Sequence, residues 1–212
     1  MRGLKIGLTL CFLLAWNSIA SASAYFKSYD FSVARPTATL HILPGFKTFQ
    51  QTTDYSCAAV CVQMLESYAG RVVHSEEELI KLIDINPHKG VSTDQLAKFL
   101  AKQGWQVEKS SSKKPLNSYE DFVEFVEQNI VNKLPIFVES SLWGGHWRLI
   151  IGFDKRGNDV TGDDVLILAD PMDIADDVRD GYTIVNAGQF YYSWFDGNFG
   201  PMRRLRQWVV AK

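Results

Sequence analysis

The 212-residue chain lacks the features that mark several specialised classes of protein. It has only 3 Cys, too few for a disulfide-stabilised scaffold, and its 7 Pro and 15 Gly are too few for a fibrous or low-complexity chain. It contains no run of basic residues, and its formal net charge of −2 gives no reason to expect a nucleic-acid partner. With 46% hydrophobic and 22% charged residues, the composition is that of an ordinary globular protein.

The first 24 residues lack acidic side chains, and they also lack a hydrophobic run long enough to span a bilayer. Arg2 and Lys5 precede an apolar run at 6–16, which is shorter than the roughly 20 residues of a transmembrane helix. The small-residue stretch SIASASA follows, so we expect a secretory signal peptide that is cleaved after Ala22 or Ala24. The mature protein would then be secreted or periplasmic, with no stable membrane anchor.

The mature chain reads as helices followed by strands. Apolar residues recur with a helical period in four segments, at 57–68, 75–83, 93–103 and 119–132. Strand patterns follow at 134–140, 146–154, 164–170 and the C-terminus, with a short early strand at 37–43 and a late helix at 186–196. We find no internal repeat and no interdomain linker. The order predicts one α+β domain over residues 25–212, with a mostly antiparallel sheet.

Two cysteines remain once Cys11 is removed with the signal peptide. Cys57 is expected at a helix N-terminus behind Ser56 as N-cap, where the helix dipole and free N–H groups favour a thiolate. Cys61 lies one turn further along, on the apolar stripe, and should be inert. Their Cβ atoms should be about 5–6 Å apart, whereas a disulfide needs about 3.5–4.5 Å. We therefore expect two free thiols, of which Cys57 is the candidate nucleophile.

A nucleophilic cysteine needs a base, and His146 is the best candidate among the four histidines. His41 lies in the early strand, His74 precedes a helix and His88 lies in a polar loop. His146 instead follows two glycines and opens the strand at 146–154, on the face opposite its apolar stripe. That position argues against a purely structural core histidine.

A carboxylate partner for His146 follows from the next strand. If the two strands form a hairpin with its tip centred on Asn158, Asp170 lies directly opposite His146. Opposed Cβ atoms in an antiparallel pair are about 4.5–5.5 Å apart, close enough for Asp170 to orient the imidazole. Pro171 then ends the strand.

Acyl transfer through a thiolate also needs donors aimed at the developing oxyanion. The side-chain amide of Gln51, six residues before Cys57, and the backbone N–H of Cys57 would supply two. Gln50 lies beside Gln51, so the sequence leaves open which glutamine serves.

Three segments, QTTDYSCAAVCVQML, GGHWRLIIGFD and LADP, together resemble the papain-like cysteine peptidases of the bacteriocin-processing (double-glycine leader) type, including their stand-alone relatives. The resemblance covers about residues 48–171. It implies a papain-like fold, a catalytic Cys57, His146 and Asp170, a contribution of Gln51 to the oxyanion hole, and a peptide or protein substrate.

The chain departs from this pattern at Ala58, because the family commonly has glycine after the cysteine. It also carries no ABC-transporter module, so the resemblance does not by itself imply cleavage of a leader peptide. Two other classes stay open: an acyl or γ-glutamyl transferase with the same triad, and a non-catalytic binding module on the same fold. No cofactor or metal is expected, because the cysteines and histidines lack the spacing of a zinc site.

Overall fold

The computed structural model describes six stretches of the chain: residues 30–111, 116–140, 142–158, 160–174, 178–194 and 206–212. The predicted signal peptide, residues 1–24, lies outside the described residues. No helix in these six stretches has the length and apolar character needed to cross a bilayer.

The described residues contain five α-helices: α1 (Cys57–Tyr68), α2 (Glu76–Ile83), α3 (Thr93–Lys102), α4 (Tyr119–Val131) and α5 (Ala187–Ser193). Local sequence explains where two of them begin, because Ser75 and Ser118 each form a capping box with the third helical residue, Glu78 and Asp121 respectively. The four helices predicted from periodicity agree with the observed bounds to within one residue.

In the described stretches, seven strands form one sheet: β1 (Leu40–Ile42), β2 (Val107–Lys109), β3 (Ile136–Ser140), β4 (His146–Asp154), β5 (Val165–Ala169), β6 (Tyr182–Asn186) and β7 (Gln207–Ala211). The order is β2-β7-β3-β4-β5-β6, and β1 pairs with β4. Every pairing among the described strands is antiparallel. The predicted α+β class with an antiparallel sheet is therefore confirmed.

Two helices cover the face of the sheet that carries Arg148. Val138 pairs with both Arg148 and Trp208, so these three side chains share that face. Phe125 of α4 packs on Trp208 with ring centroids 4.6 Å apart, and the Arg148 guanidinium lies 5.7 Å from the ring of Phe190 in α5. The helices α4 and α5 therefore lie on this side.

The opposite face carries Trp147 and packs against α1 and α3. Trp147 and Gln207 share this face because both pair with Glu139. Thr93 of α3 hydrogen-bonds Gln207, and Cys61 of α1 contacts the Trp147 carbonyl oxygen. Helix α2 packs against both α1 and α3. The sheet is thus covered on both faces, which explains why all nine residues of β4 are buried.

The β4–β5 hairpin differs from the predicted register by two residues near the site. Leu149 pairs with Ala169, and a β-bulge in the middle of β4 shifts the pairing by one more residue. The prediction that Asp170 directly opposes His146 is therefore wrong. The register shifts because the connection is longer than a tight turn and contains a short 3₁₀ helix, Thr161–Asp163. Asp170 falls level with Arg148 instead, two residues along β4 from His146.

Candidate active site

Cys57 is the first residue of α1, as predicted, but the helix begins differently from the expectation. Ser56 occupies the N-cap position, yet its hydroxyl makes no hydrogen bond to the first turn. It is fully buried and donates instead to the carboxylate of Glu76, the first residue of α2. The Ser56 oxygen accepts the Thr53 hydroxyl at 2.7 Å and not a backbone N–H of α1. The backbone N–H groups at the start of α1 therefore remain uncapped by Ser56, beside Cys57.

Three of the four predicted site residues meet where α1 and β4 begin. Nε2 of His146 lies 2.7 Å from Oδ1 of Asp170. The Cys57 Sγ accepts the backbone N–H of Trp147, the residue after His146, at 3.5 Å, and Cys57 lies close enough to His146 to raise the pKa of the imidazole. Because Nε2 faces Asp170, Nδ1 is the ring nitrogen left for Cys57. The three side chains belong to residues that are no more than 7% exposed, so the contacts are shielded from water.

The surroundings of His146 favour its protonated form. Burial alone lowers the pKa of His146, but the hydrogen bond to Asp170 and the nearby Cys57 outweigh burial and raise the pKa to about 9. For Asp170, burial raises the pKa, whereas the hydrogen bond to His146 and the nearby Arg148 charge lower it below its usual value. The backbone N–H of Met172 also donates to Oδ1 at 2.9 Å. An ionised carboxylate therefore holds the ring, which is the arrangement that proton transfer from a thiol requires.

The two cysteines are both free and buried, which agrees with the predicted absence of a disulfide. Their environments differ. Burial raises the pKa of Cys61 well above its usual value, and the nearby Cys57 and Asp170 add to the rise. Cys61 donates to the backbone carbonyl of Trp147 at 3.4 Å. Cys61 is therefore held as a thiol, whereas Cys57 is the cysteine that raises the pKa of His146.

The neighbouring glutamines contact different groups. The side-chain amide of Gln50 donates to the carbonyl oxygen of Asp170 at 3.0 Å and accepts the N–H of Asp173 at 3.2 Å. The side-chain amide of Gln51 donates to the carbonyl oxygen of Thr53 at 2.6 Å, and its Oε1 is buried without a hydrogen-bond partner. Gln50 therefore braces the turn that carries Asp170, while Gln51 keeps its second amide N–H without an acceptor among the described residues.

A backbone contact joins the two segments that carry these residues. The N–H of Gln51 donates to the carbonyl oxygen of Pro171 at 2.8 Å. The segment that leads into α1 thus runs alongside the turn that follows β5, and this places Gln51 close to the group formed by Cys57, His146 and Asp170.

Arg148 was not predicted as a residue of the site, although the sequence contains a signal for it. It lies two residues after His146 and therefore on the same face of β4. Its Nη1 lies 3.8 Å from Oδ2 of Asp170, and the residue is only 5% exposed. Side chains alternate between the two faces of β4, so the sequence already placed Arg148 on the same face as His146. A cation on that face, near the candidate carboxylate Asp170, was the signal that could have identified it.

The other three histidines have separate roles. His74 bonds Glu66 at 2.8 Å and His41 lies 3.7 Å from Glu127, while His88 lies in an exposed turn. Across the described stretches, no group of three or more His, Cys, Asp or Glu side chains is arranged to hold a metal ion.

Solved structures of peptidases share this fold. The peptidase domain of the Streptococcus ABC transporter ComA matches at 16% identity and a TM-score of 0.52, over 78% of this chain and 98% of that domain. A putative C39-like peptidase from Bacillus anthracis matches at 15% identity and a TM-score of 0.56, over 82% and 97%. A double-glycine motif protease from an AMS/PCAT transporter, solved with its leader peptide, matches at 12% identity and a TM-score of 0.52, over 82% and 95%.

These matches confirm the predicted papain-like fold and the resemblance to the bacteriocin-processing type. No curated protein matches the chain by sequence. Residues 43–178 match the profile of the family described as papain-like cysteine protease AvrRpt2. Since this match spans more than half of the chain and includes Cys57, His146 and Asp170, the protein belongs to that family of papain-like cysteine proteases.

Proposed function

We propose that the protein is an exported cysteine peptidase that hydrolyses peptide bonds through a thioester on Cys57. The observation that carries the proposal is the arrangement at the N-terminus of α1: the Cys57 Sγ accepts the backbone N–H of Trp147, next to His146, and the His146 ring is hydrogen-bonded to Asp170. A nucleophile, a base and a group that orients the base are the three parts that acyl transfer through a thiol needs.

The first half of the reaction forms the thioester. His146 takes the proton of the Cys57 thiol, and the thiolate attacks the substrate carbonyl carbon to give a tetrahedral intermediate. His146 then gives the proton to the leaving amine, and the carbon–nitrogen bond breaks. Asp170 orients the imidazole ring throughout and stabilises the imidazolium when it forms, consistent with the pKa of about 9 for His146.

The second half releases the acid product. His146 takes a proton from a water molecule, whose oxygen attacks the thioester carbonyl. The carbon–sulfur bond breaks and the thiolate is protonated again. No step requires a metal or a cofactor.

Two donors would stabilise the oxyanion in both halves of the reaction. One is the backbone N–H of Cys57, at a helix N-terminus that the Ser56 hydroxyl does not cap. The other is the second amide N–H of Gln51, whose first N–H is held by Thr53 at 2.6 Å. A side-chain amide fixed in this way is preorganised for the oxyanion.

The substrate class and the compartment come from different observations. The AMS/PCAT transporter protease was solved with a leader peptide bound, which supports a peptide substrate for this chain as well. Export rests on the basic, apolar and small-residue pattern of residues 1–24. N-terminal sequencing of the exported protein should find Ser23 or Tyr25 first, and an intact Met1 would contradict export.

The activity is tested with a peptide library under reducing conditions, read by mass spectrometry. We expect cleavage products with the wild type and none with Cys57→Ala, while Cys61→Ala retains activity as a matched cysteine control. A parallel incubation with an added amine separates hydrolysis from transfer, because a transferase gives amide products in place of free acids. No product in either incubation would identify a binding module.

A further inference from the structure

An open pocket of about 260 Å³ adjoins the candidate triad on the face of the sheet covered by α5. Its buried part is formed by Ser140, Arg148, Phe190 and Trp194, and its rim includes the exposed Gln189 and Ser193. Within the described part of the chain, Arg148 is the one charged residue that lines it. Because Arg148 also lies 3.8 Å from Asp170, the pocket is in direct electrostatic contact with the triad.

The buried guanidinium of Arg148 has few hydrogen-bond partners for its N–H groups. Its Nε has no hydrogen-bond partner among the described residues, and Nη2 reaches the Ser140 hydroxyl only at 3.5 Å. Its contact with Asp170, at 3.8 Å, is longer than a hydrogen bond. Burial lowers the pKa of Arg148, and the Asp170 charge opposes this only in part. A guanidinium has five N–H donors, and leaving them unmatched in a buried site is costly.

We propose that this pocket binds a carboxylate group through Arg148. A guanidinium matches a carboxylate with two parallel hydrogen bonds, which would satisfy the donors that the protein leaves open. The pocket's apolar walls, Phe190 and Trp194, suit the short aliphatic chain that carries such a carboxylate.

The charge balance favours a monoanion over a phosphate dianion. Arg148 supplies a single positive charge, and no other cation among the described residues lines the pocket. The Asp170 carboxylate, 3.8 Å from the same guanidinium, would repel a second negative charge.

The size limits the occupant to a small group. Cavities that bind drug-sized ligands usually have volumes of at least about 300 Å³, so this pocket accommodates only a smaller group. Two sources fit: an acidic side chain or chain terminus of a peptide substrate, and a free short-chain acid. The first source rests on the proposed peptidase function, whereas the binding itself does not.

Binding is tested by calorimetry with butyrate on the mature chain carrying Cys57→Ala, with butyramide as the uncharged isostere. We expect butyrate to bind and butyramide not to bind. Gln189→Glu places a carboxylate at the exposed rim and should weaken butyrate at least about tenfold, whereas Gln106→Glu adds the same charge elsewhere on the surface and should not. Arg148→Gln should abolish binding. Equal binding of the acid and the amide, or no binding of either, would overturn the proposal.

The source of the carboxylate is identified by kinetics of the active protein on pairs of peptides. The two peptides of a pair have the same sequence except that one carries Glu where the other carries Gln. If the carboxylate comes from the substrate, one acidic position lowers KM, and butyrate raises the KM of that peptide by competition. If it is a free acid, butyrate binds but the paired peptides have equal KM values. A chain that binds butyrate and cleaves no peptide would leave the carboxylate site standing and would refute the proposed peptidase function.

Discussion

His146 and Asp170 form a 2.7 Å contact between Nε2 and Oδ1 although they are not directly opposed across the β4–β5 ladder. Asp170 is level with Arg148, so it reaches His146 along the diagonal of the pair. Diagonal neighbours in an antiparallel pair remain within reach of long side chains. One carboxylate can therefore contact both residues, with Oδ1 towards His146 and Oδ2 towards Arg148.

Replacing Asp170 with Asn should reduce kcat by roughly 10²-fold or more, because the amide no longer holds the imidazolium and disturbs its tautomer. The measurement is steady-state kinetics on a cleaved library peptide. Asp164→Asn is the matched control, since Asp164 is also buried but bonds Tyr119, away from the site. A similar loss of kcat in both variants would argue against an orienting role for Asp170.

The raised pKa of His146 makes stability depend on pH. Its pKa is about 9 in the folded chain and 6.5 for the free side chain, so folding takes up a proton between these values. This contribution to the free energy of unfolding is fully present below pH 6.5 and is lost as pH rises through 9. We expect the stability advantage of wild type over His146→Gln to shrink across this window by up to about 3 kcal/mol. Denaturant titrations at several pH values measure it, and a constant difference would contradict the ion pair.

The two thiols should alkylate at very different rates in the native protein. Cys57 lies at the N-terminus of α1 and raises the pKa of the nearby His146, whereas Cys61 is fully buried and its own pKa is raised. Iodoacetamide at mildly acidic pH should label Cys57 first, and peptide mapping should find Cys61 modified only after unfolding. His146→Ala should slow labelling of Cys57 at that pH, because the imidazolium that stabilises the thiolate is lost. An unchanged rate in His146→Ala would favour the binding-module alternative.

Gln51 and Gln50 should respond differently to replacement by Ala. Gln51→Ala should lower kcat by about 10²–10³-fold if its amide is an oxyanion donor. Gln50→Ala removes two hydrogen bonds to the Asp170 turn, so it should lower the free energy of unfolding by about 1–3 kcal/mol. Thermal unfolding and kinetics on both variants separate the two effects. A larger kcat loss in Gln50→Ala would reverse the assignment.

Gly181 should not tolerate a side chain. Its φ is +81°, and a Cβ there would lie 2.5 Å from Cβ of Thr48. Its carbonyl also accepts the backbone N–H of Asp170 at 2.9 Å, so any shift reaches the site. Gly181→Ala should cost about 1–3 kcal/mol of stability and reduce kcat. Gly188→Ala, where a Cβ meets only ordinary contacts, should fold like the wild type.

The sequence predicted the elements whose local signals are strong. Apolar periods located the first four helices, and the nine-residue strand β4 was predicted with the bounds it has. Strands β2 and β6 were missed. β2 has three residues, two of them exposed and charged, and β6 is only partly buried, so neither shows a clear alternation of apolar side chains.

The sequence predicted which residues form the candidate site more accurately than it predicted how they are arranged in space. The pairing of His146 with Asp170 was anticipated through a register that the structure contradicts. A strand buried on both faces has no polar face to fix its register, and a bulge leaves no mark in its composition. The sequence also could not predict that Ser56 hydrogen-bonds Glu76, because Glu76 lies 20 residues away in the chain.

Contacts across long stretches of chain also decide when the reactive pair can exist. Gln50 and Asp170 are 120 residues apart, and Cys57 and Trp147 are 90 apart. Helix α1 can form early from its own sequence, but the imidazole that would activate its cysteine arrives only when β4 docks on it. Such non-local pairings form slowly, after their loop-closure entropy has been overcome. A partly folded chain would therefore carry an ordinary thiol, and chemical reactivity would appear together with the native sheet.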